Sequence, residues 1–161
     1  MQKYVLVSLL EKLDEGTEFP ATNWPLHVTL ASNFIVDWES TNLFEKLSAL
    51  LANHQPFGTT VGDDEYFGPQ KQVHVALLNM NAELRSLHND VIVLLRECGA
   101  IFDEPQYLEE GYRAHATVQA NTRLHKGDVV NIDKLTIIDM FPHDDINRRK
   151  ILRTIRMGQP A

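Results

Sequence analysis

Apolar and polar positions alternate along the chain in two distinguishable rhythms. Tyr4 to Leu10 is an apolar run of strand length, followed by a polar, turn-rich stretch over 11–24 holding Gly16, Pro20 and Trp24. A second strand is predicted over Leu26 to Phe34. In "STNLFEKLSALLANH" the residues Leu43, Phe44, Leu47, Leu50 and Leu51 recur at helical spacing behind Ser40 or Thr41 as N-cap. That spacing predicts a helix over 41–53. A strand near Phe57 to Val61, a turn-rich "GDDEYFGPQ" and the alternating strand "QVHVALL" follow.

The second half repeats this order. "NAELRSLHNDVIVLLRECG" predicts an amphipathic helix from Ala82 to Cys98, closed by Gly99. After a loop containing Pro105 comes a strand over Tyr112 to Ala120, and "VVNIDKLTIIDMF" and "ILRTIRM" supply two more. Each half thus offers several strands and one long helix, without a close sequence repeat. The expected architecture is α+β: one domain over residues 1–161 built as two pseudo-equivalent lobes, with mainly antiparallel pairing.

Composition narrows the class of protein. The chain has 161 residues and a formal net charge of −7. That charge argues against a partner such as long nucleic acid, whose binding needs many Lys and Arg contacts to phosphate. A small phosphorylated ligand remains open, because a few local donors suffice in a cleft. "NRRKILRTIR" (147–156) carries five basic residues and reads as a solvated strand end. Cys98 is the only cysteine, which excludes a disulfide framework and points to a cytoplasmic setting. The apolar run near the N-terminus leads into "EKLDEG" with no small-residue cleavage site, so it reads as a strand and not a signal peptide. No stretch approaches the ~20 apolar residues of a membrane span.

Two strands carry the candidate chemistry. "PLHVTL" (25–30) and "RAHATV" (113–118) each place a histidine two residues before a threonine. Alternation puts His27 with Thr29, and His115 with Thr117, on one face of their strands. Leu26, Val28 and Leu30, and likewise Ala114, Ala116 and Val118, face the other way, toward a core. Arg113 joins the polar row of the second strand, with Gln119. A row of imidazole, hydroxyl and guanidinium suits a phosphate. Two histidines on opposite sides of phosphorus can remove one proton and supply another near neutral pH. Threonine hydroxyls can donate to the non-bridging oxygens.

The paired motifs, their order and the intervening "EYFGPQKQVHVALL" resemble the 2H phosphoesterase superfamily, which includes 2′–5′ RNA ligase-like proteins and cyclic nucleotide phosphodiesterases. The resemblance covers most of the chain. It implies a bilobal fold in which two antiparallel sheets form a cleft with the helices outside. It implies His27 and His115 as the acid–base pair and Thr29 and Thr117 as phosphate ligands, with no metal or other cofactor. The substrate implied is a nucleotide or short oligonucleotide: a 2′,3′-cyclic phosphate, a 2′–5′ linkage or a cyclic oligonucleotide. RNA 2′–5′ ligation is the alternative reaction. Many members have proline directly before each motif histidine. Here Leu26 and Ala114 stand there, which argues against a close member of the bacterial RNA ligase group.

Further candidates surround these four residues. Arg113 is expected to contact phosphate or to form a plain ion pair. Tyr66 and Phe67, in the turn before a strand, are candidates to stack on a base at the cleft rim or to be buried under that turn. Trp24 poses the same choice, and Tyr112 is expected to face the core. His54 is expected to end a helix, His88 to lie on the second helix, and His125 and His143 to lie in loops; His74 has a weak claim to the cleft. Two rival functions stand beside the phosphoesterase. One is a metal hydrolase using His27, His115 and a carboxylate such as Asp139. The other is a non-catalytic nucleotide-binding module. P-loop, Gly-x-Gly-x-x-Gly and Gly-x-Ser-x-Gly signatures are absent.

Overall fold

The computed structural model describes residues 2–159. Ten strands and two α-helices follow one another as β1 (Tyr4–Leu9), β2 (Glu18–Pro20), β3 (His27–Ile35), α1 (Leu43–Ala52), β4 (Phe57–Phe67), β5 (Val73–Leu78), α2 (Ala82–Glu97), β6 (Ile101–Phe102), β7 (His115–Thr117), β8 (Val129–Ile132), β9 (Lys134–Asp139) and β10 (Arg148–Arg156). They form a six-stranded sheet, ordered β2-β10-β9-β1-β3-β6, and a four-stranded sheet, ordered β7-β5-β4-β8. Every pairing is antiparallel. This is the two-sheet α+β fold expected.

Local sequence explains the elements that place the site. All six residues of β1 are buried, as befits a strand flanked by β3 and β9 with cover on both faces. In α2, the Asn81 side chain accepts from the Leu84 N–H at 2.9 Å. The helix ends where Gly99 takes a φ of 85° and the Ala100 N–H reaches the Leu95 carbonyl at 2.9 Å. Its buried stripe is Leu84, Leu87, His88, Val91, Ile92 and Leu95. With Leu43, Leu47 and Leu51 of α1 this stripe packs on one face of the sheets, where Leu6, Val28, Leu30, Ala76 and Ala116 meet it in the main core. A smaller apolar cluster of Val5, Val7, Leu9, Phe19, Ile138 and Ile151 lies on the opposite face of the larger sheet.

The structure departs from the expected elements in four places. β4 runs to Phe67, so Tyr66 and Phe67 end a strand and do not lie in a turn. The second motif strand spans only His115–Thr117, because Gln119 N–H turns back to the Thr122 carbonyl at 3.0 Å. Helix α1 is capped by neither Ser40 nor Thr41. Asn42 precedes it in a left-handed conformation, and Thr41 Oγ1 instead donates to the Asp37 carbonyl at 2.5 Å. Finally, the sheets do not follow the two halves of the chain. β4 and β5 join β7 and β8 in the smaller sheet, while β9 and β10 return to pair beside β1.

Candidate active site

Register decides which side chains share the cleft face. In the larger sheet His27 lies opposite Leu9 and Thr29 opposite Val7. Directly opposed residues project to the same side, so the motif pair stands over the smaller apolar cluster. In the other sheet His115 lies opposite Leu77 and Thr117 opposite Val75. Val75 in turn faces Glu65, and Val73 faces Phe67. Glu65, Phe67, His115 and Thr117 therefore share one face, and Asp64, Tyr66, His74, Ala76 and Ala116 the other.

The two histidines are held by the same device. His27 Nδ1 lies 2.8 Å from the Pro25 carbonyl, and His115 Nδ1 lies 2.8 Å from the Arg113 carbonyl. A carbonyl only accepts, so Nδ1 carries the proton in both rings and Nε2 is the atom left for chemistry. Each ring is braced by an aromatic. Trp24 sits 5.0 Å from His27, and Phe67 meets His115 edge-on at 4.8 Å. Both rings are half-buried. Burial holds both pKa values below the ordinary imidazole range, and the backbone bond opposes that fall in each case. Repulsion from His115 depresses His27 further, and repulsion from Arg113 depresses His115. The contact between β3 and β7 brings the two motif strands together.

The remaining candidates divide. Arg113 lies with Phe67, its guanidinium carbon 5.3 Å from the ring centroid, and pairs with Glu65 at 2.5 Å. Phe67 joins His115. Tyr66 does not: it stacks on His74 at 4.5 Å on the far face, so neither Tyr66 nor His74 belongs to the cleft. Trp24 packs edge-on to Phe19 at 5.1 Å and has the Arg149 guanidinium 5.8 Å from its ring centroid, yet it is only partly buried and lines a cavity beside the first motif. Arg149 itself donates to the carbonyls of Met140, Ile146 and Arg148, and is not part of a solvated strand end. Asp139 accepts from the Phe141 N–H, and its register beside Ile138 turns it from the His27 face. It is no third ligand for a metal with the two histidines. Among the described residues, no group of three or more His, Cys, Asp or Glu is placed to hold a metal ion.

Sequence reasoning missed Glu65, Arg149 and the partners of Tyr112 and His88. Tyr112 is buried as expected, but its hydroxyl donates to the Thr29 carbonyl at 2.7 Å. A cavity of about 400 Å³ opens beside the first motif, lined by Glu11, Phe19, Trp24 and Pro25 from one side and Gln119 and Thr122 from the other. It brings the 11–24 loop, which precedes the first motif, against the segment that follows the second. Among the described residues, no helix is long and apolar enough to cross a membrane.

The sequence model of the 2′–5′ RNA ligase superfamily matches residues 8–128, which is well over half of the chain and includes both His-x-Thr strands. Solved structures share the fold over nearly the full length. E. coli LigT complexed with NADP+ superposes with a TM-score of 0.60 at 17% identity, covering 98% of each chain. The LigT complex with 3′-AMP gives 0.59 at 17%, covering 98% of this chain and 99% of that one. TT0787 of Thermus thermophilus gives 0.58 at 14%, covering 100% of both. No curated protein sequence matches the chain.

Proposed function

Because the chain belongs to the 2′–5′ RNA ligase superfamily, we propose that it is a 2H phosphoesterase hydrolysing a small 2′-linked phosphodiester by two-histidine acid–base catalysis. The observation that carries this reading is the shared geometry of His27 and His115. Two imidazoles on different sheets are locked in the same tautomer by the same bond to the carbonyl two residues back, each with Nε2 free. In the proposed reaction one Nε2 takes a proton from water as its oxygen bonds to phosphorus. The other imidazolium gives its proton to the ribose oxygen as that P–O bond breaks. Thr29 and Thr117, on the same faces, donate to the non-bridging oxygens. Arg113, released from Glu65 or shared with it, adds a positive charge beside His115.

Several features favour a nucleotide or short oligonucleotide as substrate. The net charge is −7 and the cavity beside His27 carries Glu11 and Glu18, which suits an uncharged nucleoside better than a long phosphate backbone. The E. coli relative has been solved with 3′-AMP and with NADP+, both of nucleotide chemistry. RNA end joining is the second reading, favoured by the family description. The same proton transfers perform it when a 5′-hydroxyl replaces water.

The test is turnover of 2′,3′-cyclic mononucleotides, 2′–5′ and 3′–5′ oligonucleotides and cyclic dinucleotides, with EDTA present. Wild type is compared with His27→Ala and His115→Ala. Turnover in EDTA that falls by about 10²–10⁴-fold in each variant is expected. Activity surviving in either variant overturns the acid–base pair, and nucleotide binding without turnover would indicate a binding module.

A further inference from the structure

We propose that Tyr112 and His88 are positioning residues that set the spacing between the two halves of the site, an inference that rests on the proposed two-histidine function. The two motif strands belong to different sheets, so no main-chain ladder joins them. At the point where they meet, β3 is irregular. Leu6 pairs with Ala31 and Val7 with Thr29, so Leu30 is an extra residue bulged from the ladder. Beyond it, β6 pairs with β3 only at Phe34 and Ile35. Thr29 and Leu30 thus present carbonyls that strand pairing leaves to other donors.

Two side chains take them. The Tyr112 hydroxyl, three residues before His115, donates to the Thr29 carbonyl at 2.7 Å. His88 Nδ1, from α2, donates to the Leu30 carbonyl at 2.7 Å, while its Nε2 accepts from the Glu109 N–H at 2.9 Å. The two rings lie parallel, with centroids 3.7 Å apart. His88 is 1% exposed and Tyr112 9% exposed. One bolt therefore joins the first motif strand, α2 and the segment leading into the second motif strand. Both ring nitrogens of His88 are used, which demands the neutral imidazole. The charged groups facing it are Arg85 on its own helix and Glu109, which is paired with Arg96.

Neither residue touches the reacting atoms in this scheme. Tyr112 fixes the carbonyl of Thr29, whose side chain binds phosphate, relative to the backbone that carries His115. A small displacement between paired catalytic groups costs far more in rate than in stability.

The experiment is a pH titration of the His27 and His115 imidazole resonances by NMR, without substrate, in wild type, Tyr112→Phe and His115→Ala. His115→Ala reports how far His27 depends on its partner. In folded Tyr112→Phe, the His27 titration should move toward its position in His115→Ala, and kcat for the best substrate should fall about 10–10²-fold with KM little changed. Unmoved titrations of both imidazoles in folded Tyr112→Phe overturn the inference. Should that variant unfold too readily to titrate, His88→Gln keeps an acceptor for Glu109 and tests the Leu30 arm with the same two outcomes. The NMR result needs no turnover. Moved titrations in a protein without phosphodiesterase activity would keep the bolt and discard the functional reading, and the converse result would do the opposite.

Discussion

His27 and His115 share a tautomer and a direction of pKa shift, yet different neighbours act on them. His27 is depressed by burial and then by His115; His115 is depressed by burial and then by Arg113. In the proposed reaction one imidazole must be charged and the other neutral, so the free protein would be competent between the two macroscopic pKa values of the pair. Both lie below the usual ~6.5. The kcat/KM profile should therefore peak on the acid side of that value, and the kcat profile should sit higher, because a bound phosphodiester anion favours imidazolium. Arg113→Gln removes the repulsion on His115 and should move one limb of the kcat/KM profile upward, leaving the other in place. A profile that shifts as a whole, or not at all, contradicts this assignment. At this scale the sequence was most legible: strand alternation alone put imidazole with hydroxyl. Arg149 was illegible because its three carbonyl partners and the Trp24 ring are properties of the fold.

At the scale of elements, each motif strand works only because its other face is apolar. Ala116 lies opposite Ala76, and both are buried in the main core. A larger side chain at so buried a position must displace its core neighbours, so Ala116→Leu should cost about 1–3 kcal/mol through overpacking. A chain of this length loses roughly 2–4 °C in melting temperature per kcal/mol. The strain falls between His115 and Thr117, so kcat should drop with stability; unaltered melting would show that the core face is not closely packed. The helices were legible from their 3.6-residue rhythm. The far half of β4 was not, because Asp63, Asp64 and Glu65 break the apolar alternation and read as a turn. Lys126, Arg123 and Arg113 neutralise them, at 2.7, 2.6 and 2.5 Å, from remote positions. Those pairs are partly exposed and hold loops in place more than they add stability.

Across the whole molecule, the two halves of the sequence do not map onto the two sheets, since β9 and β10 close the larger sheet from the far end of the chain. Local periodicity carries no information about such returns, and the buried link through His88 was hidden for the same reason. That link gives the molecule a specific response to acid. His27, His88 and His115 all have folded-state pKa values pushed below the unfolded one, chiefly by burial. The folded state then prefers the neutral imidazoles. Their contribution to stability is complete above about pH 6.5 and is lost as pH falls from there toward the folded values. Between pH 6.5 and 5.5 ordinary carboxylates stay ionised, so the loss in that window belongs mainly to histidines. Urea unfolding at pH 7.5, 6.5 and 5.5 should show stability nearly level over the first interval and falling over the second. His88→Phe keeps a ring against Tyr112 but leaves the Leu30 carbonyl and the Glu109 N–H without their partner. It should be less stable at pH 7.5, by about 1–3 kcal/mol for each buried group left unpaired. It should also lose less on acidification than wild type, because one of the three rings with a lowered folded-state pKa is gone. An equally steep acid loss in His88→Phe would mean that His88 is not among the groups whose neutrality the fold requires.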